Sequence, residues 1–236
     1  MFTQPRSMKN QRGNALLLVL IGVALFAALS YVVAKNSGNS AGTIDKENNS
    51  LLASQILEYA KQLQQGVNII KQNGYSENQI SFAHPDLTGY GTYDTSPETE
   101  VFNPRGGGAS YKTFPKATND DWIFSGSNAA YRVPIPNELW ASCTAACSDI
   151  VALLANISKE LCMELNERVG VANPSNNPPQ MNTTYSTTKF TGSFVKDRVL
   201  YADFDYTNGK RAACMEGKNS PTPVGSYHFF YVLLER

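Results

Sequence analysis

Residues 15–34 read ALLLVLIGVALFAALSYVVA, and the placement of this stretch decides the architecture of the whole chain. No side chain that carries charge at neutral pH occurs from Gly13 to Ala34, and only Gly22 and Ser30 interrupt the apolar run. About twenty residues at about 1.5 Å rise cover about 30 Å, the thickness of a bilayer's hydrocarbon core. A membrane-spanning helix is expected over 14–35. Arg6, Lys9 and Arg12 precede it, and Lys35 with a polar run follows it. That order predicts a cytoplasmic N-terminus and export of everything beyond Lys35.

The chain has 236 residues, with 20 basic and 20 acidic side chains and 42% apolar residues. This size suits one domain with an appendage, or two small domains. With 11% aromatics the chain can fill a core, which excludes wholesale disorder. A balanced charge argues against an electrostatic grip on nucleic acid, which needs clustered Lys and Arg. The balance is positional, however. Arg6, Lys9 and Arg12 lie before the apolar run and no acidic residue does, so a basic tip is followed by a weakly acidic body.

Three readings fit the N-terminal segment. It is a plain signal anchor, or a secretory signal cut after the small residues Val32 and Ala34, although the run exceeds the usual apolar core of such signals. The third comes from Gln11-Arg12-Gly13-Asn14 standing directly before the apolar run. This resembles the class III, prepilin-type leader of type IV pilins and pseudopilins. The resemblance implies a cut by a prepilin peptidase between Gly13 and Asn14, with the apolar helix kept on the mature protein. Leu18 stands where most members carry Glu, and Asn14 replaces the usual Phe or Met. In the family that Glu helps align subunits, and the tip pseudopilin lacks it. The resemblance therefore implies a minor or tip-like subunit, with other pilin or pseudopilin subunits, the membrane and the peptidase as partners. A general likeness to bacterial pilin-like proteins extends to NPSNNPPQ (173–180), KFTGSF (189–194) and GSYHFFYVLLER (225–236), and brings no activity with it.

Within the apolar run, Ala24 with Ala28 and Ser30 with Ala34 have the spacing that lets helices approach closely, although alanine is also common filler in spanning helices. Residues 36–42 (NSGNSAG) predict a break. Thr43 is placed to cap a new helix, with Asp45 and Glu47 in its first turns. Leu52, Ile56, Tyr59, Ala60, Leu63, Val67 and Ile70 then recur at three and four, and Asn73-Gly74 supplies a stop. This stripe suits the second half of a pilin's first helix, or an amphipathic helix in any tethered domain.

Beyond residue 75 the chain is rich in turn residues. Short strands are expected at 80–82, 111–114, 122–124 and 131–135. A helix is expected from Ser148, carrying Ile150, Leu153, Leu154, Ile157, Leu161 and Leu165 on one face, with Gly170 just past its end. Residues 173–188 predict a polar surface loop. Strands are expected at 190–195, 199–204 and 212–215, with Thr207-Asn208-Gly209-Lys210 as a hairpin turn. The closing run 227–234 (YHFFYVLL) is apolar on both faces and predicts a central strand. The fold class expected is α+β: a long N-terminal helix, half transmembrane and half amphipathic, on a small antiparallel sheet with one further major helix. Residues 1–13 form the leader, 36–75 the linker and stalk, and 76–236 the exported domain. The 21 asparagines outnumber the acidic residues, a composition that suits an exported protein.

Cys143, Cys147, Cys162 and Cys214 all lie in the exported part, where oxidation to disulfides is expected. A helix running from Ser148 would hold Cys147 and Cys162 about 22 Å apart, too far to bond. The preferred pairs are Cys162 with Cys214 and Cys143 with Cys147; the runner-up joins Cys143 to Cys162 and Cys147 to Cys214. A metal is disfavoured, because His84 and His228 do not stand at ligand spacing from these cysteines.

No motif for catalysis or a cofactor stands out. His84 and His228 are the only histidines, and neither a G-x-S-x-G elbow nor a His-Glu-x-x-His run is present. Arg105-Gly106-Gly107-Gly108 lacks the Gly-Lys-Ser/Thr of a phosphate loop and reads as a flexible loop. Asp203 and Asp205 alternate on a strand face, as solvated pairs do. Tyr111-Lys112-Thr113-Phe114 reads as core aromatics beside a solvated Lys rather than a nucleic-acid patch. The sequence thus points to a non-enzymatic filament subunit, single-pass in the inner membrane, with its body periplasmic or extracellular. The competing class is a membrane-tethered exported binding domain that does not polymerise.

Overall fold

A computed structural model describes residues 12–134, 145–202 and 206–236, with side chains described from Leu16 onward except those of 34–43. The chain divides into two units at Asn48/Asn49. Helix α1 is assigned over Arg12–Gln72, so its turns continue through 36–42 rather than breaking there, and Thr43 lies inside it. Two glycines cost about 1 kcal/mol each relative to alanine. Extending a helix already formed on either side needs no new nucleus, so the turns propagate through them.

In the second unit, every residue of the expected stripe from Leu52 to Ile70 is buried. Tyr59 lies edge-on to Trp122 with ring centroids 5.6 Å apart, and its hydroxyl accepts the Lys112 amide at 3.1 Å. The helix ends at Gln72, and Gly74 at φ +91° turns the chain away, as Asn73-Gly74 predicts.

The sheet has five described strands: β1 (Ile123–Ala130), β2 (Asp149–Ile157), β3 (Arg198–Leu200), β4 (Ala212–Glu216) and β5 (Tyr227–Leu234). Their spatial order is β3-β1-β2-β5-β4. Three of the four pairings are antiparallel, but β3 runs parallel to β1, with Asn128 opposite Arg198 and Ala130 opposite Leu200. The sheet is mixed rather than antiparallel. A three-residue strand reached by a long crossover leaves no local signal of its direction.

The largest correction concerns the helix expected from Ser148. Its first half is strand β2, and helix α2 spans only Lys159–Val169. Ile150, Ala152 and Leu154 face the larger core, whereas Val151 and Leu153 face a second cluster on the opposite side of the sheet. A strand buried on both faces loses its period-2 signature, and its leucines then match helical spacing by coincidence. The cap of α2 is Ser158, whose Oγ accepts the Leu161 amide at 3.2 Å, and Gly170 at φ +70° closes its C-terminus. Ser158→Ala is expected to cost about 1 kcal/mol, checked by the urea midpoint of the full-length protein in detergent.

Strand β5 lies between β2 and β4, as its two-sided apolarity predicts. Phe229 and Leu233 join the larger core with α1 and α2; Phe230 and Val232 join the second cluster. Residues 173–188, expected on the surface, carry Met181 and Tyr185 into that second cluster. The face of the sheet opposite the helices has to be covered, and this segment helps cover it.

Several short strands are not formed. Residues 80–82 make one isolated bridge, Ser81 with Glu100, and 111–114 make none. Residues 131–134 form a turn, and 135 lies outside the described residues. The 122–124 run becomes the longer β1. Residues 190–195 follow the edge of β1 through only two amides, Phe190 to Phe124 O and Val195 to Gly126 O, because Gly192 at φ +87° bends the segment. The Thr207–Lys210 turn exists, with Lys210 N–H on Thr207 O at 3.1 Å. It does not close a hairpin, since β3 and β4 occupy opposite edges of the sheet.

Candidate functional site

The most distinctive surface is the first unit's helix. Leu16–Val33 is long and apolar enough to cross a membrane, and none of it is buried within the chain. Phe26, Tyr31, Leu16 and Leu18 are each more than three-fifths exposed. Leucine and phenylalanine at this density in water would be unfavourable by roughly 25 cal/mol per Å² of apolar surface. This surface calls for lipid or neighbouring helices as its solvent. Gly13 and Asn14 lie in the first turn of α1, and Leu18 is exposed one turn later. Ala24, Ala28 and Ser30 are exposed as well; the side chain of Ala34 lies outside the described ones.

Cys162 and Cys214 are bonded to each other, with Cα atoms 5.3 Å apart, and the bond ties α2 to β4. The pairing agrees with expectation although the long helix used to argue for it does not exist. Cys147 is also disulfide-bonded, and Cys143 lies outside the described residues.

Two buried asparagines stand in for backbone. Asn166 of α2 accepts the Cys214 amide at 2.8 Å and donates to the Cys214 carbonyl at 2.9 Å. Asn128 of β1 treats Ser186 the same way, accepting its amide at 2.7 Å and donating to its carbonyl at 2.9 Å. Each satisfies a donor and an acceptor that would otherwise be orphaned in the interior.

The Arg105–Gly108 segment is a packed loop rather than a flexible one. A Cβ on Gly107 would lie 2.6 Å from Val101 O and 3.0 Å from Gly66 Cα of α1. Gly106 is equally closed in, since a Cβ there would lie 2.3 Å from Glu100 O. These glycines exist for close backbone approach, with no phosphate cradle implied. Gly107→Ala is expected to lower stability by about 3 kcal/mol, since backbone atoms cannot rotate away; thermal melting of the full chain measures it.

A cleft of about 420 Å³ is lined by Asp86, Asp120, Asp121, Lys189, Tyr185 and His228 among others. His228 is buried, with Tyr185 hydroxyl on Nδ1 at 3.1 Å and Ser226 Oγ on Nε2 at 2.7 Å. Ser226 Oγ also donates to Pro223 O at 2.6 Å. This geometry makes a one-way chain: Tyr185 donates to His228, His228 to Ser226, and Ser226 to a carbonyl. Burial pushes the imidazole down to about 4, so it is neutral at physiological pH. Ser226 sends its proton away from His228, which is not how a base activates a nucleophile. His228 is a satisfied core residue. His84 is packed against the rings of Phe102, Tyr93 and Tyr111, and its Nδ1 accepts the Asp86 amide at 3.2 Å.

Tyr111 donates to Asp121 at 3.0 Å, and Phe114 packs on Tyr59 and Trp122, so both aromatics of 111–114 serve the body. Asp203 and Asp205 lie outside the described residues. Among the described residues no three metal-ligating side chains converge. Unforeseen in the sequence are the buried acids Glu100 and Asp149 and the buried amides Asn103, Asn128 and Asn166. The chain matches no family model, no curated protein and no solved structure.

Proposed function

We propose that the chain is a structural subunit, a minor pilin or pseudopilin, of a type IV pilus-related or type II secretion-like filament, held in the inner membrane before assembly. The observation that carries this reading is an apolar helix over Leu16–Val33 with no cover from its own chain, directly behind the Gln11-Arg12-Gly13-Asn14 leader. The stripe from Leu52 to Ile70, packed in the body's own core, supports it. Cleavage after Gly13 removes the basic tip that set orientation and leaves an apolar terminus. The helix then leaves the bilayer as its surface is buried against neighbouring helices. Leu18 removes a charged register contact, which suits a minor position rather than the repeating one. The body faces the periplasm or the exterior.

Intact-mass analysis of the membrane form tests the reading. A start at Asn14 that requires a prepilin peptidase, and is lost in Gly13→Val, is the expected result. An unprocessed Met1 would sink the filament role, and a start at Lys35 would replace it with a secreted domain. The cleft favours the second reading, a tethered binding domain that never polymerises. Cysteine cross-linking between helices of neighbouring copies, through Leu25→Cys, separates the two: no cross-linked ladder in assembled membranes means no filament.

A further inference from the structure

The cleft of about 420 Å³ sits where β1 begins, β2 nears its end and β5 begins, and Ile123, Ala155 and His228 bring those three strands to it. A volume of this order suits a small ligand. Much of the inner wall is apolar: Leu87, Tyr90, Ala155 and Tyr185 are each less than a tenth exposed. The mouth is charged, with three carboxylates, Asp86, Asp120 and Asp121, against one ammonium, Lys189.

Lys189 is committed elsewhere. Its Nζ donates to Thr88 O at 2.7 Å and to Thr88 Oγ1 at 3.3 Å, and lies 5.4 Å from the centre of the Tyr90 ring, tying one wall of the cleft to another. Among the described residues no Lys or Arg pairs with any of the three carboxylates. Their partners are neutral. Asp121 Oδ1 accepts the Tyr111 hydroxyl at 3.0 Å, and Asp86 lies 3.6 Å from His84 Nδ1, which accepts the Asp86 amide and so carries no proton at that atom. Asp120 Oδ2 accepts Asn156 Nδ2 at 2.6 Å. Asn156 reaches it through a defect in the sheet: it stands at φ +53°, where the pairing of β2 with β5 shifts between Leu154 and Ile157. A bulge of this kind re-aims a side chain out of the regular pleat. A strand thereby holds one carboxylate of the mouth in place.

We propose that this cleft binds an aliphatic diamine, with its ammonium groups at Asp120 and the other carboxylates of the mouth and its methylene chain along the apolar wall. The lining carries an excess of two negative charges, which a dication matches and an anion would oppose. A single metal ion needs several oxygens around one point, and among the described residues no three metal-ligating side chains converge. A chain with a charge at each end reaches carboxylates that stand apart. The cleft belongs to the body, within the second unit, so this binding is independent of whether the apolar helix enters a filament.

Isothermal titration of the full-length protein in non-ionic detergent with 1,4-diaminobutane tests the assignment. One site per chain is expected, weakened as salt is raised, with no signal from the uncharged 1,4-butanediol. Asp120→Asn, which keeps an acceptor for Asn156, is expected to weaken binding about tenfold, as the loss of one hydrogen bond to a charged group does. Should that variant not fold, Asp86→Asn takes its place, because Asp86 is exposed and outside the core. Glu167→Gln, exposed on α2 and not part of the cleft, is expected to change nothing. Absence of saturable binding up to about 10 mM amine overturns the proposal. So does an unchanged affinity in the aspartate variant, an equal loss in Glu167→Gln, which would mean general attraction to an acidic body, or displacement of the amine by an equal concentration of calcium chloride.

Discussion

Replacing Cys162 and Cys214 together by alanine lowers the stability of the body by about 4 kcal/mol. The bond spans 52 residues of sequence, and a cross-link of that reach removes much of the freedom of the unfolded chain. Both sulfurs are fully buried, so the alanines also leave a void between α2 and β4. The bond involving Cys147 is untouched by the exchange. Urea unfolding of the full-length protein in detergent, compared with the unmodified protein before and after reduction, reads the difference. A loss under about 1 kcal/mol would mean that Asn166 alone holds α2 on β4, because its side chain bridges the same two elements.

Glu100→Ala is expected to cost about 3–5 kcal/mol, comparable to losing the disulfide. The carboxylate is 1% exposed and accepts the amides of Asp94, Thr95 and Ser96 at 3.0, 3.1 and 3.2 Å, plus the side-chain amide of Asn103 at 3.1 Å. A buried donor left without its acceptor costs about 1–3 kcal/mol, less where water replaces it, and residues 94–96 are near enough to solvent for partial recovery. The loss propagates because Gly106 and Gly107 are fitted against Glu100 and Val101 and, through them, against Gly66 of α1. Glu100→Gln keeps one acceptor oxygen and is expected to fall between alanine and the original residue. If alanine and glutamine cost the same, charge rather than hydrogen bonding holds the loop; if neither costs more than 1 kcal/mol, the loop is held by its glycines.

The helical part of the fold was legible because its burial is one-sided. Each residue from Leu52 to Ile70 that recurs at three or four is buried, while the intervening Gln and Glu are not, so the period survives in the sequence. The same logic failed at β2. Ile150 to Leu154 are covered on both faces, and a run with no polar side has no period to read. The 105–108 glycines misled for another reason: the need for them is set by Gly66, far away in sequence, and a local run of glycine looks the same whether loose or tightly packed.

The candidate site was legible to different depths. The apolar helix declares itself by composition and length alone. The cleft does not, since Asp86, Asp120, Tyr185 and His228 come together only when the sheet forms. Nor could the asparagines be sorted. Among 21 of them, Asn128 and Asn166 differ from those in loops only through partners 58 and 48 residues away. Asp149 was hidden in the same way, its acceptor role fixed by Ala130 and Arg236.

Asn166 has a consequence for how copies of the body behave side by side. Strand β4 is the last in the sheet, and an unpaired edge is a template onto which another chain can zip. The Asn166 amide occupies the free N–H and C=O of Cys214 at the middle of that edge, where an incoming strand would place its own. At the strand's far end, Glu216 is engaged by Pro179 and Met181 in the same manner. Copies of the body brought close together are thereby denied an aggregation route through β4, and any association between them has to run through other surfaces.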